Sequence, residues 1–85
     1  MILTRTDYVI LKFLKKKNCI SYFKSATVQE IMKITSNSRP TTYRKMMNLL
    51  SEGYVKKGCK SINADTYYLD EKGSKIAENG GIEDD

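Results

Sequence analysis

The stretch that most constrains this chain is residues 27–55, TVQEIMKITSNSRPTTYRKMMNLLSEGYV. Thr27-Val28-Gln29-Glu30 places a hydroxyl three residues ahead of a carboxylate, the pattern of a capping box, and so starts a helix. Val28, Ile31 and Ile34 recur every three residues and predict its buried face. Thr35-Ser36-Asn37 interrupts it, and Asn37 suits the left-handed conformation that a tight interhelical turn needs. Ser38 caps a second helix. Pro40 fits its first turn, where amides have no intrahelical partner, and Gly53 ends it. Two helices, a short polar turn, a glycine and then a strand follow one another with no room for anything else.

The faces of the second helix differ in chemistry. Thr42, Met46 and Leu49, at i, i+4 and i+7, predict a core stripe, with Tyr43, Met47 and Leu50 as its flank. Thr41, Arg44, Lys45, Asn48 and Ser51 point outward. A helix presenting short polar and basic groups from its first turns suits entry into a DNA groove. The candidate contacts are Ser38, Arg39, Thr41, Thr42, Arg44 and Lys45. Arg39 and Arg44 are the candidates for bidentate contact to guanine. Ser38, Thr41 and Thr42 can donate to phosphates or touch a thymine methyl, although Thr42 also lies in the core register. The bland reading of the same arginines is a solvated helix face.

Around this segment, Thr4 and Asp7 have capping-box spacing and open a first helix that runs toward Lys17. The run Lys15-Lys16-Lys17 falls in its last turn and complements the helix dipole. Tyr8, Leu11 and Leu14 share one face, with Ile10 beside them, while Val9 and Phe13 form a second apolar face. That second face meets either a partner subunit or the segment 20–23. Asn18 stops the helix, and a loop leads to a brief strand near Ser25-Ala26. Residues 54–59 and 66–69 read as hairpin strands with a tip at 60–65, bearing Lys56, Lys57 and Lys60. Asp70 caps a last helix over 71–78, which carries Ile76 and Ala77. Residues 80–85 read as a disordered acidic tail.

Composition narrows the function. Eighty-five residues make one small domain with a formal charge of +5. Setting aside the tail acids Glu83, Asp84 and Asp85 leaves fifteen basic against seven acidic residues, or +8. That balance favours a polyanionic partner. The chain has no histidine, and Cys19 and Cys59 stand forty residues apart, so no metal-ligand spacing exists. No phosphate-binding loop or glycine-rich nucleotide motif is present, which argues against an enzyme and against a bound cofactor. The two thiols fit a reducing, cytoplasmic setting as small apolar fillers. No apolar run is long enough to span a bilayer, and the N-terminus does not read as a signal peptide. Tyr43, Tyr54, Tyr67 and Tyr68 read as core and half-core residues rather than as stacking platforms for single strands.

The order helix, short strand, helix, turn, helix, hairpin, helix resembles the winged helix-turn-helix superfamily, and within it the multiple-antibiotic-resistance regulators. The resemblance is carried by Leu3-Thr4, by 27–31, by Ser38-Arg39-Pro40-Thr41 running through Leu49-Leu50-Ser51-Glu52-Gly53-Tyr54-Val55, and by Tyr67-Tyr68-Leu69-Asp70-Glu71-Lys72-Gly73. It implies a mainly α fold with a small β-hairpin (α+β), ordered α1-β1-α2-α3-β2-β3-α4 over residues 1–79. It implies a sequence-specific double-stranded DNA-binding transcriptional regulator, with helix 38–52 in the major groove and hairpin 54–69 as a wing on the backbone. Ser38, Arg39, Thr41, Thr42, Arg44 and Lys45 then fall on recognition positions, and Lys56, Lys57 and Lys60 on the wing. A homodimer through helix 1 (Val9, Phe13) is expected. Two departures stand out: the family's long C-terminal dimerisation helix has no counterpart here, and Lys57, Lys60 and Asp65 replace its usual Asp and Arg near the wing tip. The Ser-x-Pro-Thr helix start also resembles the small winged-helix centromere-binding adaptors of plasmid and phage partition systems. A protein-interaction module that docks through helix 1 is the alternative of a different class.

Overall fold

The computed structural model describes residues 3–60 and 64–79. The expected hairpin tip at 61–63 and the expected tail at 80–85 lie outside the described residues. The elements are α1 (Arg5–Lys16), β1 (Ala26–Thr27), α2 (Val28–Thr35), α3 (Arg39–Ser51), β2 (Val55–Lys57), β3 (Thr66–Leu69) and α4 (Glu71–Asn79). This is the order expected from the sequence.

The helix ends are built as the sequence implies. Thr4 Oγ1 accepts from Asp7 N at 3.3 Å, while Thr4 N donates to Asp7 Oδ2 at 2.8 Å. Thr27 and Glu30 close the same reciprocal pair at 3.2 and 2.9 Å. Ser38 Oγ accepts from Thr41 N, with Pro40 in the first turn of α3. At the other end of α3, Gly53 N donates to Leu50 O and Tyr54 N to Leu49 O. These two bonds make a Schellman motif, which needs a left-handed residue; Gly53 supplies it at φ +86°. Asn18, at φ 60°, closes α1 by the same pair of bonds, from Asn18 N to Lys15 O and from Cys19 N to Leu14 O.

The strands form an antiparallel sheet in the order β1-β3-β2, pairing Ala26 with Tyr67 and Val55 with Leu69. The core lies between this sheet and the helices. It contains Ile10, Leu11 and Leu14 of α1, Val28 and Ile31 of α2, Met46 and Leu49 of α3, and Val55, Tyr67 and Leu69 of the sheet. Burying each large apolar side chain is worth about 1.5–3 kcal/mol before conformational entropy is charged. α4 adds Ala77 and lies along α1, where Lys15 Nζ donates to Ser74 Oγ at 3.1 Å and pairs with Glu78 at 3.1 Å. Gly73 sits where α4 meets the end of α3, and a Cβ there would collide with the Tyr54 carbonyl oxygen.

Four expectations need correction. Ile34 is 37 % exposed, not buried. A three-residue repeat drifts about 60° per step around a helix, so the third member leaves the face that Val28 and Ile31 share. The left-handed residue after α2 is Ser36 (φ 59°), because it directly follows the last helical residue; Asn37 N instead meets Thr35 Oγ1 at 3.4 Å. The buried stripe of α1 contains Asp7 rather than Tyr8, which is half-buried. Cys19 is a core filler, but Cys59 is half-buried outside the core. The second apolar face of α1 is partly used within the chain: Phe13 packs against the core, leaving Val9 exposed.

Candidate nucleic-acid interface

The outer face of α3 is set by the side it buries. Thr42, Met46 and Leu49 point into the core, so Pro40, Arg44, Met47, Asn48 and Ser51 are turned outward, with Thr41 half-buried beside them. Ser38 and Arg39 are exposed at the helix start. Ser38 Oγ bonds Thr41 Oγ1 at 3.1 Å as well as the Thr41 amide, so both hydroxyls are already oriented. Among the described residues no carboxylate lies within ion-pair range of Arg39 or Arg44. The sequence reading left Met47 and Asn48 out of the contact set. Met47, 52 % exposed, stands next to Arg44 on the same face, and Asn48 follows one turn on. The outward register of Asn48 was the available signal; an apolar Met47 gave none.

Two side chains tether the flanks of α3. On one side Lys45 Nζ lies 3.3 Å from Thr4 Oγ1 and 3.8 Å from Asp7 Oδ1, an oxygen that has no hydrogen-bond partner of its own. On the other, Tyr43 OH donates to Asp65 Oδ2 at 3.2 Å, just ahead of β3. Lys45 therefore ties α3 to the start of α1 rather than projecting freely. Thr42 is corrected outright: at 1 % exposure, with its hydroxyl buried and unpartnered, it offers no surface to a nucleic acid.

Lys56 and Lys57 occupy β2, an edge strand that among the described residues pairs only with β3. Val55 faces the core; Lys56 and Lys57 face solvent. Lys56 Nζ lies 4.0 Å from Asp70 and Lys57 Nζ 3.8 Å from Asp65, so both carry a local counter-charge. Lys60 is exposed. Past Lys57, Gly58 N donates to Thr66 O, Cys59 N to Tyr22 O at 2.8 Å, and Thr66 Oγ1 to Cys59 O at 2.6 Å. The base of the wing is thus pinned both to β3 and to the α1–β1 loop. Beneath it Tyr67 is fully buried with an unpartnered hydroxyl. Burial, then the nearby Asp65 and Tyr43, push its pKa up from 10.0 to about 12. Burial also raises the Cys19 thiol, helped by Glu30 and opposed by Lys17.

Helix α2, a short turn and the capped α3, followed by the β2–β3 hairpin and a three-stranded sheet, define a winged helix-turn-helix protein. No protein-family model matches the chain. It is 33 % identical over 73 residues to the DNA-binding protein TubR of Clostridium botulinum C phage, covering 86 % of this chain and 90 % of TubR. The solution structure of the DNA-binding TubR fragment from Clostridium botulinum superposes with a TM-score of 0.71 at 30 % identity, over 93 % of this chain and 98 % of the fragment. The chain belongs to the TubR family. Its fold is also that of MepR, a transcription regulator of the Staphylococcus aureus multidrug efflux pump MepA (TM-score 0.77, 18 % identity). That match takes in 91 % of this chain but only 54 % of MepR. Among the described residues no helix is long and apolar enough to cross a membrane.

Proposed function

We propose that this chain is a sequence-specific double-stranded DNA-binding protein of the regulatory type, non-enzymatic and cytoplasmic, that uses α3 as its reading element. The observation that carries this is the outer face of α3, where Arg39 and Arg44 stand exposed, with no carboxylate partner among the described residues, beside a fixed Ser38–Thr41 pair. A guanidinium needs its whole fork unoccupied to address guanine O6 and N7. Asn48 adds an amide able to pair with adenine on the same face. Ser38 and Thr41 bond phosphates, while Lys56, Lys57 and Lys60 neutralise the flanking backbone and add affinity rather than sequence choice. The domain spans residues 1–79 and works as a homodimer, with Val9 and the exposed side of Phe13 at the subunit contact.

A second reading, a partition adaptor that coats tandem DNA sites, is favoured by coverage. The chain spans almost the whole of a phage TubR, yet only about half of MepR. Selection of bound sequences from random duplex DNA tests both. Paired half-sites about one helical turn apart support the dimeric regulator, and closely spaced tandem repeats support the adaptor. Absence of any enrichment sinks DNA reading by α3.

A further inference from the structure

The α1–β1 loop places its largest apolar side chains in water. Phe23 is 81 % exposed, Tyr22 51 % and Ile20 46 %. Exposed apolar clusters on small proteins mark contact surfaces when the chain holds them in place. Here it does. Lys24 N donates to Ser21 O at 3.1 Å and closes the turn, and Ser25 Oγ reaches Tyr22 O. Cys59 N donates to Tyr22 O at 2.8 Å, and Leu69 N donates to Cys19 O at 2.8 Å. Gly58 leaves room for the loop: a Cβ there would stand 2.5 Å from Ser25 Cβ and Oγ. The rings of Tyr22 and Phe23 meet edge to face at 5.1 Å, so the pair is already arranged.

Charge selects the occupant. Of the lysines flanking the loop, Lys17 pairs with Glu30, Lys56 with Asp70 and Lys57 with Asp65, while Lys24 follows Phe23 in the chain and Lys60 follows the Cys59 whose amide bonds Tyr22. Lys24 and Lys60 are exposed and have no carboxylate partner among the described residues. A symmetric contact with a second copy would set these lysines against each other. Duplex backbone would satisfy the lysines but leave three large apolar side chains uncovered. We infer that the Ile20–Tyr22–Phe23 loop, rimmed by Lys24 and Lys60, is a docking surface for an acidic peptide segment of another protein, one whose apolar side chains cover the aromatic pair. Such a surface would let the chain hold DNA through α3 and a protein through this loop at once.

The test is selection from a displayed library of random peptides against the full chain, with Phe23→Ser and Lys24→Glu as variants. The outward placement of both side chains keeps the fold intact, which circular dichroism checks. The wild type should enrich peptides that combine carboxylates with aromatic or aliphatic side chains. Each variant should weaken the best of these by about tenfold, while duplex affinity and self-association stay within about twofold. Failure to enrich, or enrichment of neutral or basic peptides, overturns the assignment. Loss of duplex affinity in Phe23→Ser would make the loop part of the DNA face, and loss of self-association would make it a subunit contact; either overturns it. A wild type that binds no duplex defeats the α3 reading but leaves the peptide result standing, so the two failures are separable.

Discussion

The outer face of α3 and the edge strand β2 look alike in sequence, two short runs dense in basic residues, yet they differ in what their charges are doing. On α3, Arg39 and Arg44 have no carboxylate within ion-pair range among the described residues. On β2, Lys56 and Lys57 stand 4.0 and 3.8 Å from Asp70 and Asp65, and the strand beyond them is pinned to Thr66 and Tyr22. Exposed pairs of this kind are worth about 0–1 kcal/mol and can be exchanged for a phosphate, but their net charge is already partly cancelled. The usable charge of a small basic domain is therefore the charge that the fold leaves unpaired. By that measure the proposed roles follow: α3 to discriminate and the wing to assist.

The largest expected effect breaks the helix side of this contrast. Arg39→Ala combined with Arg44→Ala should cost about 100-fold or more in affinity for a selected duplex, since each base-reading arginine contributes about 1–3 kcal/mol. Melting temperature should not move, because neither side chain is packed. Next in size is the strand that both regions lean on. Tyr67 is buried near Asp65, the partner of Lys57, and near Tyr43 of α3, which bonds the same carboxylate. Its folded pKa lies above its unfolded value, so the neutral phenol is what the fold binds. The stability it contributes is intact below pH 10 and is lost as pH rises toward 12, by about 2 kcal/mol. Urea titrations across that window should show the decline in wild type and a flatter profile in Tyr67→Phe.

Lys45 sharpens the contrast from inside α3. Lys45→Ala should lower stability by about 1–2 kcal/mol in chemical denaturation, because it leaves the buried Asp7 oxygen without the cation beside it. Duplex affinity should stay within about twofold, as expected of a tether. On the wing, Lys56→Ala with Lys57→Ala should weaken binding by less than about tenfold, equally on all sequences, and reduce the salt slope. Smallest of all is Thr42→Val. It removes an unpartnered hydroxyl at constant shape, so affinity should be unchanged and stability equal or up to about 1 kcal/mol higher.

Most of the frame was legible because caps and stops are local. Thr4–Asp7, Thr27–Glu30, Ser38, Asn18 and Gly53 declare their roles through chemistry that acts within four residues, and each does in the structure what its type implies. What failed depended on partners distant in sequence. Lys45 read as outward because nothing near it in the chain announces Asp7, and the Lys57–Asp65 pair did not declare itself because it forms across the hairpin. Ile34 failed on register, because a three-residue repeat drifts around its helix. Thr42 did not: its register with Met46 and Leu49 gave its burial, and only its place among the contacts was wrong. Phe23 gave no signal of its exposure, because the loop that carries it is held by a long-range bond from Cys59 N to Tyr22 O that no local pattern encodes.

The central claim, that α3 discriminates while the wing only adds affinity, meets its most direct test in one ratio. Affinity for a selected duplex divided by affinity for its scrambled counterpart should be measured at fixed salt in wild type, in the Arg39/Arg44 double variant and in the Lys56/Lys57 double variant. The ratio should collapse toward one in the arginine variant and hold near the wild-type value in the lysine variant, even as both affinities fall. A ratio that survives loss of both arginines, or that falls with the lysines instead, would contradict the account.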